Sequence, residues 1–240
     1  MTVRTKTHTA KKNITLAFLG DGLTCGCFEH YREAPGCLGD VLEPQEGYVA
    51  KLENLLRLEC PRKTVSVVSA GRSGGTAESV LPYLESLVAS RPDLVVVCLG
   101  INDVMLGPKR VSGFCDALGE IFAVLEAEEI PCVFMTPNTL STYVSGEIRL
   151  EEVRERAELA VHCQNMGLYE AYLDKAKELA RKSGVSICDC YREWMKLHCA
   201  GVDVTALLCN HVNHPSRRMH GLFAGMLLRW MEEERPALLT

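Results

Sequence analysis

The 240-residue sequence contains no apolar run that approaches the length of a membrane-crossing helix, so a transmembrane anchor is not expected. An excess of basic charge is also missing. Twenty-six lysines and arginines against 31 aspartates and glutamates give a net charge of -5, which offers no electrostatic basis for a nucleic-acid partner or an anionic membrane surface. The cysteine count is high at twelve, yet no C-x-x-C pair occurs. The two C-x-C pairs, Cys25/Cys27 and Cys188/Cys190, have no second matched pair and make poor zinc signatures, so no metal is expected. Met1–Lys12 is polar and basic with no apolar segment after it, and it reads as a disordered lead-in rather than a secretion signal. A cytoplasmic protein with reduced thiols follows as the expectation. Linkers, low-complexity tracts and internal repeats are absent from the sequence, so residues 13–240 read as one domain.

What is present is an alternation. The apolar run Ile14–Leu19 stops at Gly20-Asp21-Gly22, as a buried parallel strand would. Further strands are expected over Thr64–Ala70, Asp93–Leu99, Pro131–Thr136 and Val185–Cys188. Helical spacing covers Tyr48–Leu58, Ala77–Ser90 with Thr76 as N-cap, Val111–Glu129, Glu147–Ser183 as one or two helices, Tyr191–His198 and Arg217–Glu233. Cys25–Gly47 is rich in Gly, Pro and Cys without periodicity and reads as a long functional loop. Strands alternating with helices imply βαβ units. The expected fold is a flavodoxin-like three-layer α/β/α sandwich on a five-stranded parallel sheet, with its chemistry at the carboxyl ends of the strands.

Four blocks stand at those ends, in order: Gly20-Asp21-Gly22-Leu23-Thr24, Gly71 after the second strand, Gly100-Ile101-Asn102-Asp103, and Asn213-His214-Pro215-Ser216. Together they resemble the SGNH, or GDSL-type, hydrolases over roughly residues 14 to 232. The resemblance implies an esterase acting on small acyl esters, such as acetyl groups on carbohydrates, with no metal or organic cofactor. It implies an oxyanion hole from the backbone N–H at position 22, the N–H of Gly71 and the amide of Asn102, with His214 as general base. Asp21, Asp103, Asn210 and His211 are the accompanying candidates on the substrate side, Asp21 shaping the turn. Cys25–Gly47 and Thr139–Glu147 are expected to frame the cleft.

Two residues depart from the pattern. The family's nucleophilic serine falls on Gly22, which has no side chain. The acid often found three residues before the histidine is replaced by His211, with Asn210 before it. Thr24 and Cys25 lie near the vacancy but are displaced along the chain from the nucleophile position. The alternative reading is therefore a pseudoenzyme that binds an acylated or sugar ligand in the same cleft. A dinucleotide site built on Gly20-x-Gly22-x-x-x-Gly26 would need a helix to begin at once and an acid ending the second strand, and the sequence offers neither.

Overall fold

The computed structural model describes residues 13–35 and 37–240. The lead-in expected over Met1–Lys12 lies outside the described residues. Strand β1 (Asn13–Gly20) is followed by a short helix α1 (Gly22–Cys25), the strands β2 (Cys27–Ala34) and β3 (Cys37–Leu42), and α2 (Tyr48–Glu59). Next come β4 (Thr64–Gly71), α3 (Ala77–Val80), α4 (Leu84–Ala89), β5 (Leu94–Cys98), α5 (Ile101–Met105) and α6 (Val111–Ala127). The chain continues through β6 (Cys132–Met135), α7 (Glu151–Asn165), α8 (Leu168–Lys182), β7 (Ser186–Cys188), α9 (Cys190–Cys199), α10 (His220–Glu234) and α11 (Pro236–Leu239).

The main sheet has the order β4-β1-β5-β6-β7, with every neighbouring pair parallel. This is the flavodoxin-like strand order, whose topological switch point lies between β1 and β5. Because side chains alternate across a strand, the central strands feed two separate cores. Ala17, Leu19, Val95, Val97 and Phe134 pack on one face, against α3 to α8. Leu16, Phe18, Val96, Val133 and Met135 pack on the other, against α2, α9 and α10. Both faces are covered, which is why these strands read as continuous apolar runs.

Several boundaries differ from the sequence expectation for local reasons. The helix expected over Ala77–Ser90 is divided into α3 and α4 by a 3-10 turn at Leu81–Tyr83, where Pro82 has no N–H to continue the ladder. The long charged stretch is two helices, separated at Gly167, which adopts φ 70°. The stretch Cys25–Gly47, expected to be a loop, begins at the end of α1 and instead contains an antiparallel β2–β3 hairpin. Among the described residues no helix is long and apolar enough to cross a membrane.

Candidate active site

Gly20 ends β1, and a Cβ there would collide with the Thr24 hydroxyl and with Cys98 O at 2.7 Å, so only glycine lets the chain turn this tightly into α1. Asp21 caps that helix by accepting from Leu23 N at 3.0 Å. Its carboxyl is buried, and burial pushes its pKa up to about 7. Asp21 thus holds the turn into α1 and is not among the residues lining the cavities described below. Gly22 is the first residue of α1, and its backbone is not in the left-handed region, so nothing in the conformation demands glycine. A Cβ built on Gly22 would lie 3.3 Å from His214 Nε2, 3.3 Å from Cys27 Cβ and 3.4 Å from Cys27 Sγ.

His214 is buried at the other side of that gap. Its Nδ1 is 2.6 Å from the carbonyl oxygen of Phe28, which can only accept, so Nδ1 carries the proton and Nε2 presents a lone pair toward position 22. Burial, helped by the neighbouring His30, lowers the His214 pKa to about 4 and keeps the ring neutral near pH 7. The partner of the imidazole is therefore a backbone carbonyl delivered by β2, not a side chain of the Asn210-His211 segment.

Asn210 has a different task. Its Oδ1 accepts from the backbone N–H groups of Val212, Asn213 and His214 at 2.9 to 3.0 Å, which fixes the loop that carries His214. With Oδ1 so engaged, Nδ2 must be the group that donates to His30 Nε2 at 3.1 Å. His30 in turn donates from Nδ1 to Asp40 at 2.6 Å, and Asp40 also accepts from Ser73. Burial pushes the Asp40 carboxyl up, but the bonds from His30 and Ser73 outweigh it and hold the group well below the usual carboxylate range. Nitrogen and oxygen atoms of His30, Asp40 and His214 lie within 4.8 Å of one another. Both nitrogens of His30 are already hydrogen-bonded, so seating an ion there would break an existing contact.

A cavity of about 480 Å³ opens over this cluster. His214, His30, Asp40, Ser73, Gly74 and Asn102 form its polar side, and Leu38, Met105, Leu106, Leu159 and Val212 an apolar one. Asn102 donates from Nδ2 to Gly75 O at 3.0 Å, which leaves the second amide hydrogen available.

Three expected site residues stand elsewhere. A Cβ on Gly71 would meet Cys25 N at 2.5 Å, so this glycine serves the close packing of β4 on α1; Gly74, three residues on, is the one on the cavity wall. Asp103 is buried, caps α3 by accepting from Ala77 N at 3.0 Å, and has its pKa pushed up by burial to about 6. It does not line the cavity. His211 faces Glu147 at 3.2 Å in a neighbouring cavity of about 260 Å³, and residues 139–147 contribute nothing to the larger one.

Sequence reasoning missed Phe28, His30 and Asp40, all on the hairpin. The signal was there: Pro35-Gly36 separates two segments that each contain β-forming residues. Arg217 secures the hairpin's base, pairing with Glu29 at 2.6 and 3.0 Å and with Glu43 at 2.7 Å while its guanidinium lies 4.4 Å from the Phe28 ring centroid.

The pattern that defines the GDSL-like lipase/acylhydrolase family matches residues 18–222. An acetylxylan esterase of Geobacillus stearothermophilus is 36% identical over 90 residues, which span 37% of this chain and 39% of that protein. The crystal structure of a lipase/acylhydrolase from Enterococcus faecalis superposes with a TM-score of 0.66 at 18% identity, covering 92% of this chain and 96% of that one. The solved acetylxylan esterase from Geobacillus stearothermophilus superposes with a TM-score of 0.65 at 21% identity, covering 90% and 93%. Both share the sandwich. With the family pattern running through residues 18–222, most of its length, the chain belongs to the GDSL-like lipase/acylhydrolase family.

Proposed function

We propose that the cavity binds small acyl esters in the geometry of serine-type acyl transfer, with acetyl groups on carbohydrates as the substrate class, and that Gly22 deprives this chain of the nucleophile. The observation that carries the reading is the 3.3 Å between a Cβ at position 22 and His214 Nε2. From that point a serine hydroxyl reaches the lone pair of a neutral imidazole. The oxyanion of the tetrahedral intermediate would be met by the N–H at position 22, the free amide hydrogen of Asn102 and the N–H of Gly74, in place of Gly71. The acetylxylan esterase relative supports the choice of acyl group. With no hydroxyl at position 22, the chain binds the ester and leaves only slow attack by water, which the remaining donors support.

Hydrolysis of p-nitrophenyl acetate and of an acetylated xylooligosaccharide by the chain and by Gly22→Ser tests this. The serine variant is expected to gain at least about 10³-fold in kcat/KM, and to lose the gain when His214→Ala is added. A folded Gly22→Ser protein that hydrolyses neither ester would overturn the reading. Equal activity in both proteins would move the nucleophile away from position 22.

A further inference from the structure

Beside position 22 lies a second reactive arrangement, independent of ester chemistry. Cys25 Sγ and Cys27 Sγ lie 3.3 Å apart, in thiol hydrogen-bond contact. Gly26 between them adopts the left-handed conformation, φ 79° and ψ 46°, which turns the chain so that both side chains fall on the same side. Cys25 is half-buried and so partly accessible, whereas Cys27 is buried. The contact makes the two thiols unequal. The shared hydrogen bond draws the Cys25 thiol below its ordinary range and pushes the Cys27 thiol above it.

The other thiols lack this combination. Cys188 and Cys190 approach to 3.9 Å, but both are buried. Cys37 and Cys199 are exposed, with no sulfur partner among the described residues.

We infer that Cys25 and Cys27 form a peroxide-oxidisable dithiol, in which the accessible Cys25 is oxidised first and Cys27 resolves it to a disulfide. The chemistry balances with hydrogen peroxide as oxidant. The Cys25 thiolate attacks one peroxide oxygen, the O–O bond breaks, and the departing hydroxide takes up the thiol proton as water. The sulfenic acid that remains is attacked by Cys27 sulfur; an S–S bond forms, the S–O bond breaks, and that hydroxide leaves as water with the Cys27 proton. Two thiols are oxidised and one peroxide is reduced to two waters.

Closing the bond brings the sulfurs from contact to covalent distance, a change of more than about 1 Å. Cys27 Sγ and Cβ form one wall of the gap at position 22 that faces His214 Nε2, so the modification would alter that gap directly.

The test is a hydrogen peroxide titration of the full chain, quenched with a maleimide and read on the tryptic peptide Asn13–Arg32, which contains both sulfurs. The expected product is that peptide two hydrogens lighter and unalkylated, formed roughly tenfold faster than Cys37 or Cys199 is lost. Cys27→Ser should stop the reaction at a Cys25 sulfenic acid that dimedone traps, and Cys25→Ser should leave Cys27 fully alkylatable. A doubly alkylated peptide after the exposed thiols have reacted would overturn the inference. So would a Cys25 sulfinic acid formed without the disulfide while Cys27 is intact.

Discussion

The β1–α1 corner and the β2–β3 hairpin meet at one imidazole, and they are built in opposite ways. The corner is buried, with Gly20 admitted by a close approach, Asp21 capping the helix, and the Thr24 hydroxyl 3.0 Å from Tyr48 OH. It holds the tight turn into α1, and position 22 carries no side chain. The hairpin is largely exposed toward its tip and is held at its base by Arg217, yet it supplies the carbonyl that orients His214 and the His30–Asp40 pair beside it. The difference is that the orientation of His214 and the identity of position 22 rest on separate segments. The tautomer and aim of the imidazole come from the hairpin carbonyl and do not depend on a side chain at position 22.

Four measurements would break or sharpen that comparison. The largest effect is expected from removing the base: in the Gly22→Ser background, His214→Ala should lower kcat by about 10⁴-fold or more, read with p-nitrophenyl acetate. Next is Asn102→Ala in the same background, expected to cost about 10² to 10³-fold in kcat with KM little changed, because the amide is used most in the transition state. An equal rise in KM would make Asn102 a ground-state contact instead.

Loosening the hairpin should matter less. Arg217→Gln removes the ion pairs to Glu29 and Glu43 while leaving every group that touches the substrate, and a misplaced Phe28 carbonyl should cost roughly 10 to 100-fold in kcat/KM. Unchanged kinetics would mean that the hairpin stays in register through its own ladder.

The smallest effect concerns pH and stability. His214 and His220 have folded-state pKa values near 4 and 3, below their ordinary 6.5, so the unfolded chain binds protons that the folded one refuses. They make stability fall as pH drops from about 6.5 toward 4. Asp21 and Asp103, raised to about 7 and about 6, act with the opposite sign: the folded chain keeps their protons, and that contribution is lost as pH rises from about 4 to 7. Asp21→Asn keeps an acceptor for Leu23 N and removes the titration. Its melting temperature should therefore rise more between pH 5 and pH 7.5 than that of the parent. Parallel curves would show that Asp21 titrates normally in the folded chain.

Much of the architecture was legible because both faces of the sheet are covered. Burial on two sides demands runs such as Leu94–Cys98, and such runs with helical segments between them imply a parallel sheet. The placement of Asn102 and His214 beside the cavity was legible for a similar reason, since one follows a recognisable strand and the other precedes the last helix. The hairpin was not: its exposed strands alternate weakly, Cys27 and Phe28 being buried and the tip exposed, so periodicity gave no signal over Cys25–Gly47. Gly71 was mistaken for the cavity glycine because sequence cannot tell a glycine that admits a neighbouring backbone from one that borders open space, as Gly74 does.

The sequence by itself determined the order of the five parallel strands along the chain, the two-sided core, the four blocks and the absence of a hydroxyl at position 22. These follow from local chemistry: side-chain period, capping residues, and the identity of one residue. Only the tertiary structure decided what faces His214, since its proton acceptor is a carbonyl 186 positions earlier in the chain. Main-chain carbonyls are the same at every residue, so no side-chain pattern could reveal which one the fold would bring to the imidazole.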